Sequence, residues 1–86
     1  MVMRFNSRFK KEYQKSPKKI KTAFDTRLQI FKENPYHSLL NNHSLAGNYK
    51  DFRSINITGD WRALYFEVSK EEIVFVVIGK HSKLYG

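Results

Sequence analysis

Two short stretches of the 86-residue chain carry side chains able to move protons and hold charge. Asp60, Trp61 and Arg62 open the stretch WRALYFEV, and the chain ends in GKHSKLYG, with Lys80, His81, Lys83 and Tyr85. Polar filler suffices at most chain ends, so His81, Lys83 and Tyr85 behind an apolar run need a reason. These residue types suit phosphodiester cleavage of RNA. The ribose 2′-OH must lose a proton as it attacks phosphorus, the 5′-oxygen must gain one as it leaves, and negative charge gathers on the phosphate oxygens. Imidazole transfers protons near neutral pH. Guanidinium is a permanent forked cation for phosphate. Trp61 or Tyr85 can stack on a splayed base. A resident metal is not expected, because His37, His43 and His81 lack tight ligand spacing and no cysteine or carboxylate cluster joins them. No glycine-rich phosphate loop or Gly-x-Ser-x-Gly elbow is present.

Each residue also has a plainer role. His81 can be a tail residue and His37 a loop residue. Asp60 can serve the turn after Gly59. Trp61 can be core, Arg62 can pair with Glu67 or another surface acid, and Tyr49, Tyr65 and Phe66 read as packing. On spacing alone, a basic RNA-binding α+β domain is the simpler account.

The elements that must position these groups follow from periodicity. VMRF reads as a short strand. Phe5, Phe9 and Tyr13 recur at i+4 and predict a helix over 7–15. Ser16-Pro17 predicts a helix start, with serine as cap and proline at the first position. Ile20, Phe24, Leu28 and Phe31 form one helical stripe, ended by Asn34-Pro35. Residues 36–48 have no clean period and read as a loop. YKDFRSINIT alternates, with Ile55 and Ile57 on one face and Phe52, Ser54 and Asn56 on the other. Thr58-Gly59-Asp60 is a turn. WRALYFEV and IVFVVIG are the last strands, and IVFVVI is apolar on both faces, as a central strand is. The expected fold is α+β: two N-terminal helices on one face of a small, mainly antiparallel sheet of three or four strands. A hairpin near residues 69–72 would set Trp61 and Arg62 opposite residues 79–81, with His43 able to fold over the same edge.

Bulk composition bounds the rest. The length suits one domain, residues 1–86, hiding about 60–65% of its unfolded surface. There is no cysteine, hence no disulfide, which fits the cytosol. No apolar run approaches the roughly 20 residues of a membrane span, and the N-terminus lacks the apolar centre of a signal peptide. The net charge is +8, and residues 1–35 hold ten basic residues (Arg4, Arg8, Lys10, Lys11, Lys15, Lys18, Lys19, Lys21, Arg27, Lys32) against three acids. That field attracts polyanions, nucleic acid or an acidic protein.

Three motifs in order, His43-Ser44-Leu45-Ala46-Gly47, Asp60-Trp61 and Gly79-Lys80-His81-Ser82-Lys83-Leu84-Tyr85, resemble the RelE/ParE toxin superfamily, nearest its YafQ-like branch. SRFKKEY and SPKKIKTAFDTRLQIFKENP are similar to the family's helical hairpin, so the likeness spans nearly the whole chain. The resemblance implies a RelE-like fold and metal-independent cleavage of mRNA, typically in the ribosomal A site of the 70S ribosome. It leaves a 2′,3′-cyclic phosphate or 3′-phosphate and a 5′-hydroxyl. It implies a cognate antitoxin, small and acidic or DNA-binding, with no cofactor and no membrane partner. By position, His81 matches the histidine that serves the leaving oxygen, and Asp60 and His43 match residues of catalysis or substrate contact. Arg62 matches a phosphate-stabilising arginine, and Tyr85 the C-terminal aromatic that orients base or ribose. Trp61, Arg53, Asn56, Lys80 and Lys83 are the RNA-contact candidates. The chain departs from the YafQ pattern at Asn56, where that branch has a histidine, while RelE relatives use lysines in this strand. Asn56 hydrogen-bonds but takes up no proton at neutral pH, and alternation puts Arg53 on the opposite face from it. The base for the 2′-OH is then Asp60, His43 or neither. The competing account is a non-enzymatic ParE-like gyrase inhibitor or a basic binding module; such ParE-like relatives usually lack both the histidine and the Asp-Trp pair.

Overall fold

The ring stripes of the N-terminal third find their partners on a sheet built by the second half. The structure is a computed structural model that describes residues 1–85, the side chain of Tyr85 excepted. β1 (Val2–Phe5) is followed by α1 (Ser7–Lys15) and α2 (Lys18–Glu33). β2 (His43–Ser44), β3 (Arg53–Asn56), β4 (Trp61–Ser69), β5 (Glu72–Lys80) and α3 (His81–Tyr85) complete the chain. The sheet order is β1-β5-β4-β3-β2, with β1 parallel to β5 and the other pairs antiparallel. No helix among the described residues is long and apolar enough to cross a membrane.

Phe75 on β5 is the centre of the core. Its ring meets those of Phe5, Phe9, Phe24, Phe31 and Tyr65, with centroids 5.5 to 5.7 Å away. Aromatic pairs of this kind each contribute about 0.5–1.5 kcal/mol beyond simple burial. Ile20, Ile55, Ile57 and Ala63 fill the rest of the layer between helices and sheet. The predicted stripe is therefore core.

Three expectations need correction. The sheet has five strands, not three or four. The additional pairing is β2, only two residues long, in the stretch read as loop. Its strand character comes from its partner β3, through His43–Ser54 and Ser44–Arg53, and not from any period of its own. The tail folds into a helical turn, α3. And Ser16 does not cap α2. Its Oγ donates back to the Glu12 carbonyl at 2.8 Å, and its N–H to the Tyr13 carbonyl, so it finishes α1. Pro17 occupies the capping position of α2 without a side-chain bond. The cap of α1 is Asn6, whose Oδ1 accepts from the Phe9 N–H at 2.8 Å.

One irregularity in β5 decides which side its end presents. Leu64 pairs with Val77 but Tyr65 with Phe75, so Val76 is an extra residue. A bulge shifts the alternation by one. Ile73, Phe75 and Ile78 face the helices, while Val76 and Val77 face the opposite side with Leu64. Gly79, opposite Arg62, then also belongs to that second face. The second face carries its own small cluster, walled by Leu45, Tyr49, Phe52 and Leu84.

Candidate active site

The start of β4 and the end of β5 are neighbours in register. Arg62 pairs with both Gly79 on β5 and Asn56 on β3, and Trp61 pairs with Lys80. Directly paired residues of antiparallel strands lie about 4.5–5.5 Å apart at Cα. Beyond the last pair the His81 N–H donates to the Asp60 carbonyl at 2.6 Å. The first residue of α3 is thereby tied to the turn that precedes β4. His81 and Asp60 are both exposed.

Arg62 is held from below. Its Nη1 donates to the carbonyls of Thr58 at 2.9 Å, Gly59 at 3.1 Å and Trp61 at 3.0 Å. These bonds curl the guanidinium into the 57–60 turn and fix its position. Among the described residues only Nη1 is used, which leaves the other face of the fork for an anion. Pairing with Glu67, the plainer reading, does not occur. The turn is shaped by Thr58, whose Oγ1 accepts from the N–H groups of Asp60 and Trp61.

Asn56 lies beside Arg62 and Ser54 beside Leu64, two residues apart on the same face of β3. Ser54 is fully buried. Among the described residues, Ser54 Oγ and Asn56 Oδ1 are the buried side-chain polar atoms with no hydrogen-bond partner. Buried polar atoms are nearly always paired, so each of these two oxygens carries a desolvation cost.

Other candidates sit apart. His43 is at the sheet edge on β2, opposite Ser54. β2 is two strands from β4, or about 10 Å by ordinary strand spacing. Its Nδ1 lies 2.8 Å from the Asn41 carbonyl. A carbonyl only accepts, so Nδ1 carries the hydrogen and the neutral ring keeps its lone pair on Nε2. Asn41 reaches this position in the left-handed conformation, φ 45°, which asparagine tolerates. Arg53 does not join the group. Its Nε donates to Asn42 Oδ1 at 2.8 Å and its guanidinium lies 5.4 Å from the Tyr36 ring centre. Asn42 also donates to the Tyr65 hydroxyl at 2.7 Å. Burial raises the Tyr65 pKa, partly offset by that bond and by Arg53. Trp61 is half-buried against the helix-side core, and with Lys80 and Lys83 it lines a cleft beside α1. The Tyr85 side chain lies outside the described residues. No group of three or more His, Asp or Glu among the described residues is placed to hold a metal ion.

A family described as the bacterial toxin of the type II toxin–antitoxin system, YafQ, matches residues 1–86. The chain belongs to the YafQ family. Among curated proteins, no sequence matches it at a significant level. Solved structures agree on the fold. YafQ from E. coli strain BL21(DE3) has a TM-score of 0.81 at 18% identity, covering 98% of this chain and 97% of that one. A YoeB/ParE toxin from Agrobacterium tumefaciens has 0.77 at 16%, covering 94% and 99%. YafQ in the E. coli DinJ-YafQ complex has 0.70 at 20%, covering 98% and 97%. At such identities the likeness carries the RelE-like architecture, not the chemistry.

In this YafQ-family chain some groups at the site carried little signal in the sequence. Ser54 was placed on the right face by alternation, but a small serine in a strand gives no sign of being buried without a partner. Tyr49 and Phe66 pack as expected, against the cluster of Leu64 and Val77, and with Phe52 they also line an open groove of about 330 Å³ on the same face. Arg8 and Lys15 counted only as charge.

Proposed function

We propose that this YafQ-family chain is a metal-independent endoribonuclease that cuts mRNA, on the ribosome, by attack of a ribose 2′-OH on the adjacent phosphate. The observation that supports this reading is the backbone bond from His81 to Asp60 beside the Arg62–Gly79 pair, which brings the main chain of residues 60–62 and 79–81 to one sheet end. The phosphate sits against Arg62, whose fixed fork takes up the charge that develops on the non-bridging oxygens. Asn56 donates its amide N–H to the same group or to the ribose. The 2′-oxygen forms its bond to phosphorus and gives its proton to a base. The bond from phosphorus to the 5′-oxygen breaks, and protonated His81 supplies the proton that oxygen needs. The products are a 2′,3′-cyclic phosphate and a 5′-hydroxyl. Proximity favours Asp60 as the base, since it adjoins His81, whereas His43 stands three strands from β5.

The DinJ-YafQ complex is a toxin–antitoxin complex. By family membership this chain also has a cognate antitoxin, and its net charge of +8 favours an acidic one. The test is in-vitro translation with primer extension on the message, wild type against His81→Ala. Wild type stops translation and leaves cuts within ribosome-bound codons. His81→Ala keeps its circular dichroism and thermal melt, with cutting down at least about 10²-fold, as for loss of a general acid. Intact message with translation still running would falsify the reading.

A further inference from the structure

α1 covers β5 where β1 no longer does. The β1–β5 pairing ends at Phe5–Phe75, and beyond it the Ile78 N–H donates to Glu12 Oε1 at 3.2 Å. Glu12 Oε2 accepts from Arg8 Nε at 3.3 Å. Both carboxylate oxygens are thus engaged, one in closing a strand edge that would otherwise stay open. Around Glu12 lies a cleft of about 320 Å³ whose walls include Arg8, Lys15, Lys80, Lys83 and Trp61. Four cations surround one carboxylate that is already bonded. Like charges round a concavity focus their field and draw in a polyanion. Gly79, the β5 partner of Arg62, also lines this cleft, so it adjoins the proposed site. Arg8 also lines the aromatic groove of the other face, and stands on the crest between the two.

The geometry points to a second nucleotide subsite in this cleft, where Arg8 and Lys15 of α1 take the backbone phosphate of an RNA nucleotide flanking the one that is cut. The inference rests on the reading of the neighbouring site as one that accepts RNA. RNA is favoured over an acidic protein segment by the half-exposed indole, a surface on which a base can rest, and by contiguity with His81 and Arg62.

The chain has one tryptophan, Trp61, so its fluorescence reports the cleft directly. The full-length protein is titrated with single-stranded DNA oligonucleotides of two and of six nucleotides, which lack the 2′-OH and are not cut. With Arg8→Gln/Lys15→Gln, affinity for the hexamer falls about tenfold while the dimer changes less than about twofold. The slope of log K against log salt becomes shallower by about 1.4, or about 0.7 for each phosphate no longer neutralised on a single strand. An unchanged affinity, or an equal fall at both lengths, overturns the subsite. So does hexaglutamate competing as well as the hexamer, which would assign the cleft to an acidic protein. If the double variant melts early, Lys15→Gln alone, an exposed change, repeats the titration with half the shift in slope. Failure of the nuclease reading shows separately, as intact message with translation still running in the wild-type assay. The oligonucleotide titration involves no scission and is judged on its own.

Discussion

Ser54 shows what one residue reveals about the site. A hydroxyl that is fully buried and unpaired costs roughly 1–3 kcal/mol of desolvation. Its neighbour Asn56 carries a second orphan oxygen and pairs with Arg62, whereas Ser54 pairs with Leu64. Ser54→Ala removes the unpaired oxygen and leaves the volume almost unchanged. It should raise unfolding free energy by about 0.5–1 kcal/mol in a denaturant titration, with binding of a non-cleavable RNA analogue unchanged, because the hydroxyl is shielded from any ligand. A drop in stability would mean that Ser54 is satisfied within the folded chain, contrary to the structure.

At the scale of an element, α3 is a single turn that carries His81, and its attachment is specific. A Cβ on Gly79 would come within 3.4 Å of Leu84 Cδ2, so Leu84 rests directly on the glycine. Leu84 also packs against the cluster of Leu64 and Val77. The bulge at Val76 turns Gly79 to this face and so provides the seat. Leu84→Ala should cost about 1–2 kcal/mol of stability, less than a fully buried leucine would. Cutting should fall about 10²-fold, because a reactive group displaced by an ångström loses that much. The effect should appear in kcat with KM nearly unchanged, and Leu84→Met, which keeps volume, should restore it. If kcat merely tracks the folded fraction, α3 does not position His81.

For the whole molecule, the core is a ring of aromatic side chains around Phe75 that includes Tyr65, and Tyr13 packs outside it on Phe9 and Phe24. Burial raises the pKa of Tyr65 above 10.0, and burial followed by the Asp25 contact raises that of Tyr13. The folded state therefore holds these protons more tightly than the unfolded chain does. Their stabilisation is complete below about pH 10, the unfolded value, and is lost as pH rises through the folded values. Thermal melts should be flat for these groups through neutral pH and fall as pH rises above about 10. Tyr65→Phe should blunt that fall. Equal alkaline sensitivity in wild type and Tyr65→Phe would place the titration elsewhere.

Local pattern made much of this legible. α1 follows from Phe9 and Tyr13, the core face of α2 from Ile20, Phe24 and Phe31, and the split of β3 from its alternation. The pairing of Trp61 and Arg62 with residues 79–80 follows from the hairpin length. What pattern missed had its cause in distant partners. β2 is a strand only because β3 lies beside it. Ser16 looks like a helix start but is drawn back to Glu12 at the end of the previous helix. In IVFVVI every residue is apolar, so no alternation could locate the bulge.

Sequence by itself determined residue type, charge and local period: a basic α+β chain, with a histidine close behind its last strand and an arginine opening the strand before it. Tertiary structure decided which face each group occupies. It turned Gly79 toward Arg62 through the bulge, sent Arg53 to Asn42 and Tyr36, and set Arg8 and Lys15 beside Lys80. The physical reason is range. Helical and strand periods are written by neighbours a few residues apart, whereas register, bulges and clefts arise from packing between segments distant along the chain, as with Val2 and Glu72.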